Sequence, residues 1–226
     1  MAMTRKRWMT IAAVSVPLLA AAVVLHTRAG RALLGKSGGC PWEQSAPSAA
    51  RVEEGRVKTA ATLKTNPITR ATARPAFGFV LDQSTRDDVK AWSTRAGASC
   101  TEELGGAALR CEPANRTSTA ENGVPVSDAF FRFDPRGVVV GVDLMREGTD
   151  GEKAAAVLTT LTDRISQAAG PPSTVQGTAS SAHLAGGYLN RAAAEFRFAD
   201  YAADVSATNM GERGVVVREQ YRSIPN

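Results

Sequence analysis

Ala129-Phe130-Phe131-Arg132-Phe133-Asp134-Pro135-Arg136-Gly137-Val138-Val139-Val140-Gly141-Val142-Asp143-Leu144 reads as two strands and the turn between them. Phe131 and Phe133 alternate with Arg132, the period of two expected of a strand with one buried face. Asp134-Pro135-Arg136-Gly137 has proline second and glycine fourth, the signature of a type I turn. Val138, Val140, Val142 and Leu144 then alternate on the return. The pattern predicts an antiparallel pair whose Phe131, Phe133, Val138, Val140 and Val142 face helices, with Arg132 on the opposite face.

Helical spacing appears on both sides of this hairpin. Val89, Trp92 and Ala96 stand at i, i+3, i+7 after Ser84-Thr85-Arg86-Asp87, which resembles a capping box, and Gly97 supplies a stop. Trp92 is read as helix-to-sheet core. Val157, Leu158, Leu161 and Ile165 follow a second box, Thr149-Asp150-Gly151-Glu152, and Gly170-Pro171-Pro172 ends that helix. The two boxes lie 65 residues apart, and Phe131-Arg132-Phe133 recurs at the same offset as Phe196-Arg197-Phe198. The second copy lacks a proline turn, so its strand is expected to run on towards Thr208, turn within Asn209–Gly214, and return through Val215, Val216 and Val217.

A helix followed by meandering strands, twice, predicts an α+β fold: two tandem helix-plus-antiparallel-strand units forming a sheet with helices on one face. The layout resembles the SmpA/OmlA (BamE) family of small envelope proteins and the related tandem-repeat β-lactamase inhibitor protein. The resemblance rests on Gly78, Leu81, Ser84-Thr85 and Asp88-Val89 leading a helix, on Phe133-Asp134 and Gly137 in a hairpin, and on the duplication. It covers residues 77–222, without a lipobox at Cys40. It implies a protein-binding module of the cell envelope that uses the uncovered sheet face and loops, and it carries over no catalytic residue.

Trp8–Leu25 is 18 residues without a charge, preceded by Arg5-Lys6-Arg7. As a helix it would reach about 27 Å, close to the roughly 30 Å hydrocarbon layer of a bilayer. Three domains follow: 1–36, a cytoplasmic tip and membrane anchor; 37–76, a basic flexible tether in which Ala49–Leu63 could form a helix; and 77–226, an exported α+β domain. The cationic start orients the chain with its C-terminal domain in the periplasm of an inner membrane. The competing reading is a signal peptide cleaved after Ala20-Ala21-Ala22, giving a secreted protein.

Cysteine usage points the same way. Cys100 and Cys111 are symmetric about Gly105-Gly106, so a hairpin turning there places them directly opposite each other, within reach of a disulfide. Such a bond persists in an oxidising compartment. Cys40 is left as a free thiol in the tether or as an intermolecular bridge in a homodimer.

The net charge of +5 is unevenly spread. Residues 1–76 hold 12 Lys/Arg against three Glu, a net of +9, and residues 77–226 hold 15 Lys/Arg against 19 Asp/Glu, a net of −4. Basicity belongs to the membrane flank, where it attracts anionic headgroups. The folded part lacks the basic stripe of a nucleic-acid binder, and nucleic acid is not an expected partner.

Catalytic motifs fare poorly. Gly30-Arg31-Ala32-Leu33-Leu34-Gly35-Lys36-Ser37 matches the phosphate-loop pattern, yet a membrane segment precedes it and Gly38-Gly39-Cys40-Pro41 opposes the helix it needs. His26 and His183 are the only histidines, no G-x-S-x-G elbow occurs, and no metal or cofactor site is expected. A hydrolase built on His183 is the weakest alternative. Candidate binding residues are Arg132, Arg197, Tyr188 and Tyr201, the two arginines having a second reading as cross-strand ion pairs with Asp143, Glu195 or Asp204. The expected activity is protein binding or scaffolding against another envelope protein, or, if the leader is removed, enzyme inhibition.

Overall fold

Asp134 closes the turn that the sequence announces. Its carbonyl accepts from the Gly137 amide and its carboxylate accepts the Arg136 and Val138 amides, each at 2.9 Å. Gly137 takes φ +80°, a conformation that costs glycine nothing.

The computed structural model describes residues 49–63, 69–114 and 119–225, within one compact unit, Ala46–Asn226. In chain order these form helix α1 (Ala49–Leu63), short strands β1 (Pro75–Ala76) and β2 (Phe79–Val80), and helix α2 (Arg86–Ala96). Strands β3 (Ala98–Glu103), β4 (Ala108–Pro113), β5 (Asp128–Phe133) and β6 (Val139–Thr149) follow, then helix α3 (Gly151–Ala169). Strand β7 (Thr174–Gln176), helix α4 (Ser181–Ala185) and strands β8 (Arg191–Arg197), β9 (Tyr201–Asn209) and β10 (Val215–Ser223) complete the chain. β1 and β2 pair with each other, and the other eight make one antiparallel sheet in the order β3-β4-β5-β6-β10-β9-β8-β7. The fold is therefore α+β with one large antiparallel sheet. Two four-strand meanders, one after α2 and one after α3, meet through their last strands. The segment expected as an anchor, Cys40 and Gly30–Ser37 lie outside the described residues. Among those described, no helix is long and apolar enough to cross a membrane.

Both helices start one residue later than the sequence reading places them. Thr85 caps α2 in a reciprocal box with Asp88, and Asp150 caps α3 by accepting the Lys153 amide at 2.8 Å. Ser84 instead takes the Val80 amide, and Thr149 remains the last residue of β6. The caps stay 65 residues apart, but the two Phe-Arg-Phe triplets stand in strands of different rank, β5 being third in its meander and β8 second. Nor does β8 run on to Thr208. The chain reverses at Ala199-Asp200, closed by the Phe198 amide on the Tyr201 carbonyl at 2.8 Å. Asp200 fixes that corner, its carboxylate taking the Ala71 amide and its carbonyl the Ile224 amide, each at 3.0 Å.

α2 and α3 cover one face of the sheet. Phe131, Phe133, Phe196 and Phe198 are buried there as the alternation predicts, with Val157, Leu158, Leu161 and Ile165 of α3. Each large side chain so buried stabilises the fold by about 1.5–3 kcal/mol in transfer terms. Trp92 packs edge-on against Phe131, with ring centroids 5.2 Å apart, and against Phe77 and Phe79. The valine register differs from expectation. A β-bulge between the Arg132 and Phe133 pairings sets Phe133 opposite Val139, so Val139 and Val142 join the core while Val140 lines the other side with Arg132.

The covered face also holds an ion pair. Arg146 and Glu219 are each 1% exposed and meet at 3.0 Å beneath the β6–β10 junction. Arg146 Nη1 also donates to the Thr119 and Val124 carbonyls at 2.8 and 2.6 Å, and the Tyr221 hydroxyl donates to Glu219 at 2.7 Å. Burial and the Glu219 charge hold the Tyr221 phenol well above its ordinary pKa. The cluster bolts the two meanders together and pins the segment before β5.

α1 departs from helices on a single face. Its Ala60 packs with Ala202 and Ile224, and Ala202 points away from the side that buries its neighbours Tyr201 and Ala203. Arg56 donates to the Ser223 carbonyl at 3.3 Å. Part of the segment expected as tether is thus a helix across one end of the opposite face.

Candidate functional site

On that opposite face the pleat projects Arg110, Phe130, Asp143, Met145, Arg218 and Gln220 from four adjacent strands, β4, β5, β6 and β10. α1 covers only the end near Arg132, Val140 and Arg222. The remainder is open and concave. One depression of about 180 Å³ lies between Arg110, Asp128, Phe130 and Asp143. A wider one of about 860 Å³ extends over Glu147, Arg191, Ser206, Arg213 and Val216. Met145 and Arg218 line both, so the two are continuous.

The charges on this face sort by pairing. Arg132 and Arg222 both grip Asp143, at 2.6 Å each, and the Gln220 amide donates to it at 2.8 Å. Burial opposes ionisation of Asp143, but Arg222 and Arg132 outweigh it and hold the carboxyl below its usual range. Burial and repulsion from Arg222 lower the Arg132 guanidinium, which also lies 4.9 Å from the centre of the Phe130 ring. Arg197 pairs with Asp204 at 2.6 Å and Glu195 at 3.3 Å, and Arg110 pairs with Asp128. Arg218 has no such partner. It is exposed at the middle of β10, where the depressions join, and its side chain makes no hydrogen bond or ion pair with any described residue, as is also true of Arg213 in the wider depression.

Of the residues singled out from sequence, Arg132 and Arg197 stand on the opposite face as period two requires, and they form cross-strand ion pairs with Asp143 and Asp204, while Glu195 meets Arg197 from its own strand. Tyr188 is 69% exposed in the loop before β8, against Gly211 of the turn that precedes β10. Tyr201 cannot serve an open surface. It is fully buried on the helix side, its hydroxyl donating to the Pro75 carbonyl at 2.7 Å, and burial pushes its phenol far up. Cys100 and Cys111 face each other in the β3–β4 register and are bonded, with Cα atoms 4.0 Å apart.

His183 lies in the short helix α4, its Nε2 3.2 Å from the Arg191 carbonyl. The nearby Ser180 hydroxyl accepts the His183 backbone amide rather than meeting the ring. Among the described residues no group of three or more His, Cys, Asp or Glu is placed to hold a metal ion.

Sequence reading missed Arg218 and the Arg146–Glu219 pair, though signals for both were present. In Val217-Arg218-Glu219-Gln220-Tyr221 the inward positions are Val217, Glu219 and Tyr221, which puts a carboxylate in the core and demands a buried cation. Val142-Leu144-Arg146 supplies it by the same alternation. Arg218, one step out of phase, faces solvent. Comparison of the chain with protein-family models, curated proteins and solved structures finds no match.

Proposed function

We propose that this protein is an exported, membrane-tethered binding or scaffolding module without catalysis of its own, and that the open face of its sheet engages another protein of the cell envelope. The observation that carries this reading is the continuous concavity over β5, β6, β10 and β9 with the unpaired Arg218 at its centre. An exposed guanidinium on a rigid strand, beside Phe130 and Met145, has the composition of an interface hot spot. Antiparallel sheets commonly leave one face to water, but a depression of this size with a free cation at its centre suits a protruding segment from a partner. The disulfide supports an oxidising compartment, and the apolar run Trp8–Leu25 supports delivery there by a tether.

The test is photo-crosslinking in intact cells, with a photoreactive residue placed at Phe130 or Met145 in the full chain and the adduct identified by mass spectrometry. A single protein species captured from both positions, and lost with Arg218→Glu, is the expected result. Free monomer alone, or capture indifferent to Arg218→Glu, overturns the proposal.

A further inference from the structure

The space beneath α1 is a second concavity, of about 400 Å³, within the range of small-molecule sites. Its walls are mainly apolar: Val52, Ala60 and Leu63 from the helix, Leu104 from the turn between β3 and β4, and Val140 from β6. Val140 reaches it only because of the β6 bulge. Leu104 reaches it with φ +52°, a left-handed conformation that costs a non-glycine residue about 1–2 kcal/mol.

One end of this apolar space is cationic. Arg132 and Arg222 both line it, and the single Asp143 serves them both, leaving a charge of +1 between two half-buried guanidiniums. Arg132 donates to Asp143 through Nη1, and the rest of its guanidinium makes no hydrogen bond with a described residue. Arg56, on the helix side, is matched by Glu53 at 2.6 Å. Burial first, and repulsion from Arg222 next, lower the affinity of Arg132 for its proton.

We infer that the cleft between α1 and the sheet binds a small amphipathic carboxylate, a medium-chain fatty acid, with its head on Arg132 and Arg222 and its tail among Leu63, Leu104 and Val140. A carboxylate there would supply the missing charge and occupy free Arg132 donors in a charge-assisted pair, while the tail is shielded from water. The inference stands apart from the identity of any protein that meets the open face.

The test uses the full chain in phospholipid nanodiscs and a diazirine-bearing decanoate as photolabel, with labelled peptides located by mass spectrometry. Labelling is expected at Leu63, Leu104 and Val140. Decanoate should compete it away, whereas decanol and decyltrimethylammonium should compete at least tenfold more weakly. Arg222→Gln should reduce labelling at least tenfold. Leu63→Trp, which fills the cleft from α1 and leaves Asp143 and its partners in place, should abolish it with the Cys100–Cys111 bond still formed. Equal competition by decanol, labelling confined to residues 8–25, or full labelling of Leu63→Trp would each overturn the inference.

Discussion

The two faces of the sheet use the same residue types to different ends. On the covered face, Arg146 and Glu219 are sealed from water, and the remaining groups of the cluster go to Tyr221 and to the Thr119 and Val124 carbonyls. On the opposite face, Arg132, Arg197 and Arg222 share carboxylates in partial contact with water, and Arg218 has none. Burial decides the difference. A charge inside is tolerated only when completely paired, and it then serves one arrangement of the strands. A charge outside is solvated in either state, so it contributes little to folding and is free for recognition.

Breaking the covered side should produce the largest effect. Glu219→Gln leaves the Arg146 guanidinium uncompensated and should cost about 3–5 kcal/mol, read as a fall in the urea midpoint. Next, Cys111→Ser removes a bond closing a short loop and should cost about 3 kcal/mol in the same measurement.

Asp143 lies between these extremes. Asp143→Asn should cost about 2 kcal/mol at neutral pH by removing a charged acceptor. Because the folded-state pKa of Asp143 lies below the usual value of about 3.9, its contribution is complete above about pH 5 and is lost as pH falls through the depressed value. The urea midpoint of the Asp143→Asn variant should therefore depend less on pH below about 5 than that of the parent. Thr85→Ala, which deletes the α2 cap, should cost about 1 kcal/mol. Arg218→Glu should change stability by no more than about 0.5 kcal/mol.

Much of this contrast was legible from periodicity. Phe131, Phe133, Phe196 and Phe198 go inward, Arg132 and Arg197 go outward, and the Cys100–Cys111 register follows from a hairpin centred on two glycines. What escaped was set by features without a local signal. The bulge that separates Val139 from Val140 inserts one residue without altering the composition of the strand. α1 has a weak apolar stripe, and its position depends on small residues, Ala60 against Ala202, that suit many environments. Tyr201 looked available because tyrosine is at home in interfaces and cores alike. Only the distant Pro75 carbonyl, brought near by the fold, decides between them. Arg218 went unnoticed because its distinction is that no carboxylate on its face is paired with it, a property of the assembled sheet.

Residues 218 and 219 are neighbours on β10 facing opposite sides, and they allow the most direct test. Partner crosslinking from position 130 should be measured in Arg218→Glu and Glu219→Gln, with each yield normalised to the folded fraction. Arg218→Glu should abolish the adduct in a fully folded protein, while Glu219→Gln should lower the folded fraction and leave the normalised yield unchanged. An adduct that survives Arg218→Glu, or that is lost from folded Glu219→Gln protein, would contradict the division of labour between the faces.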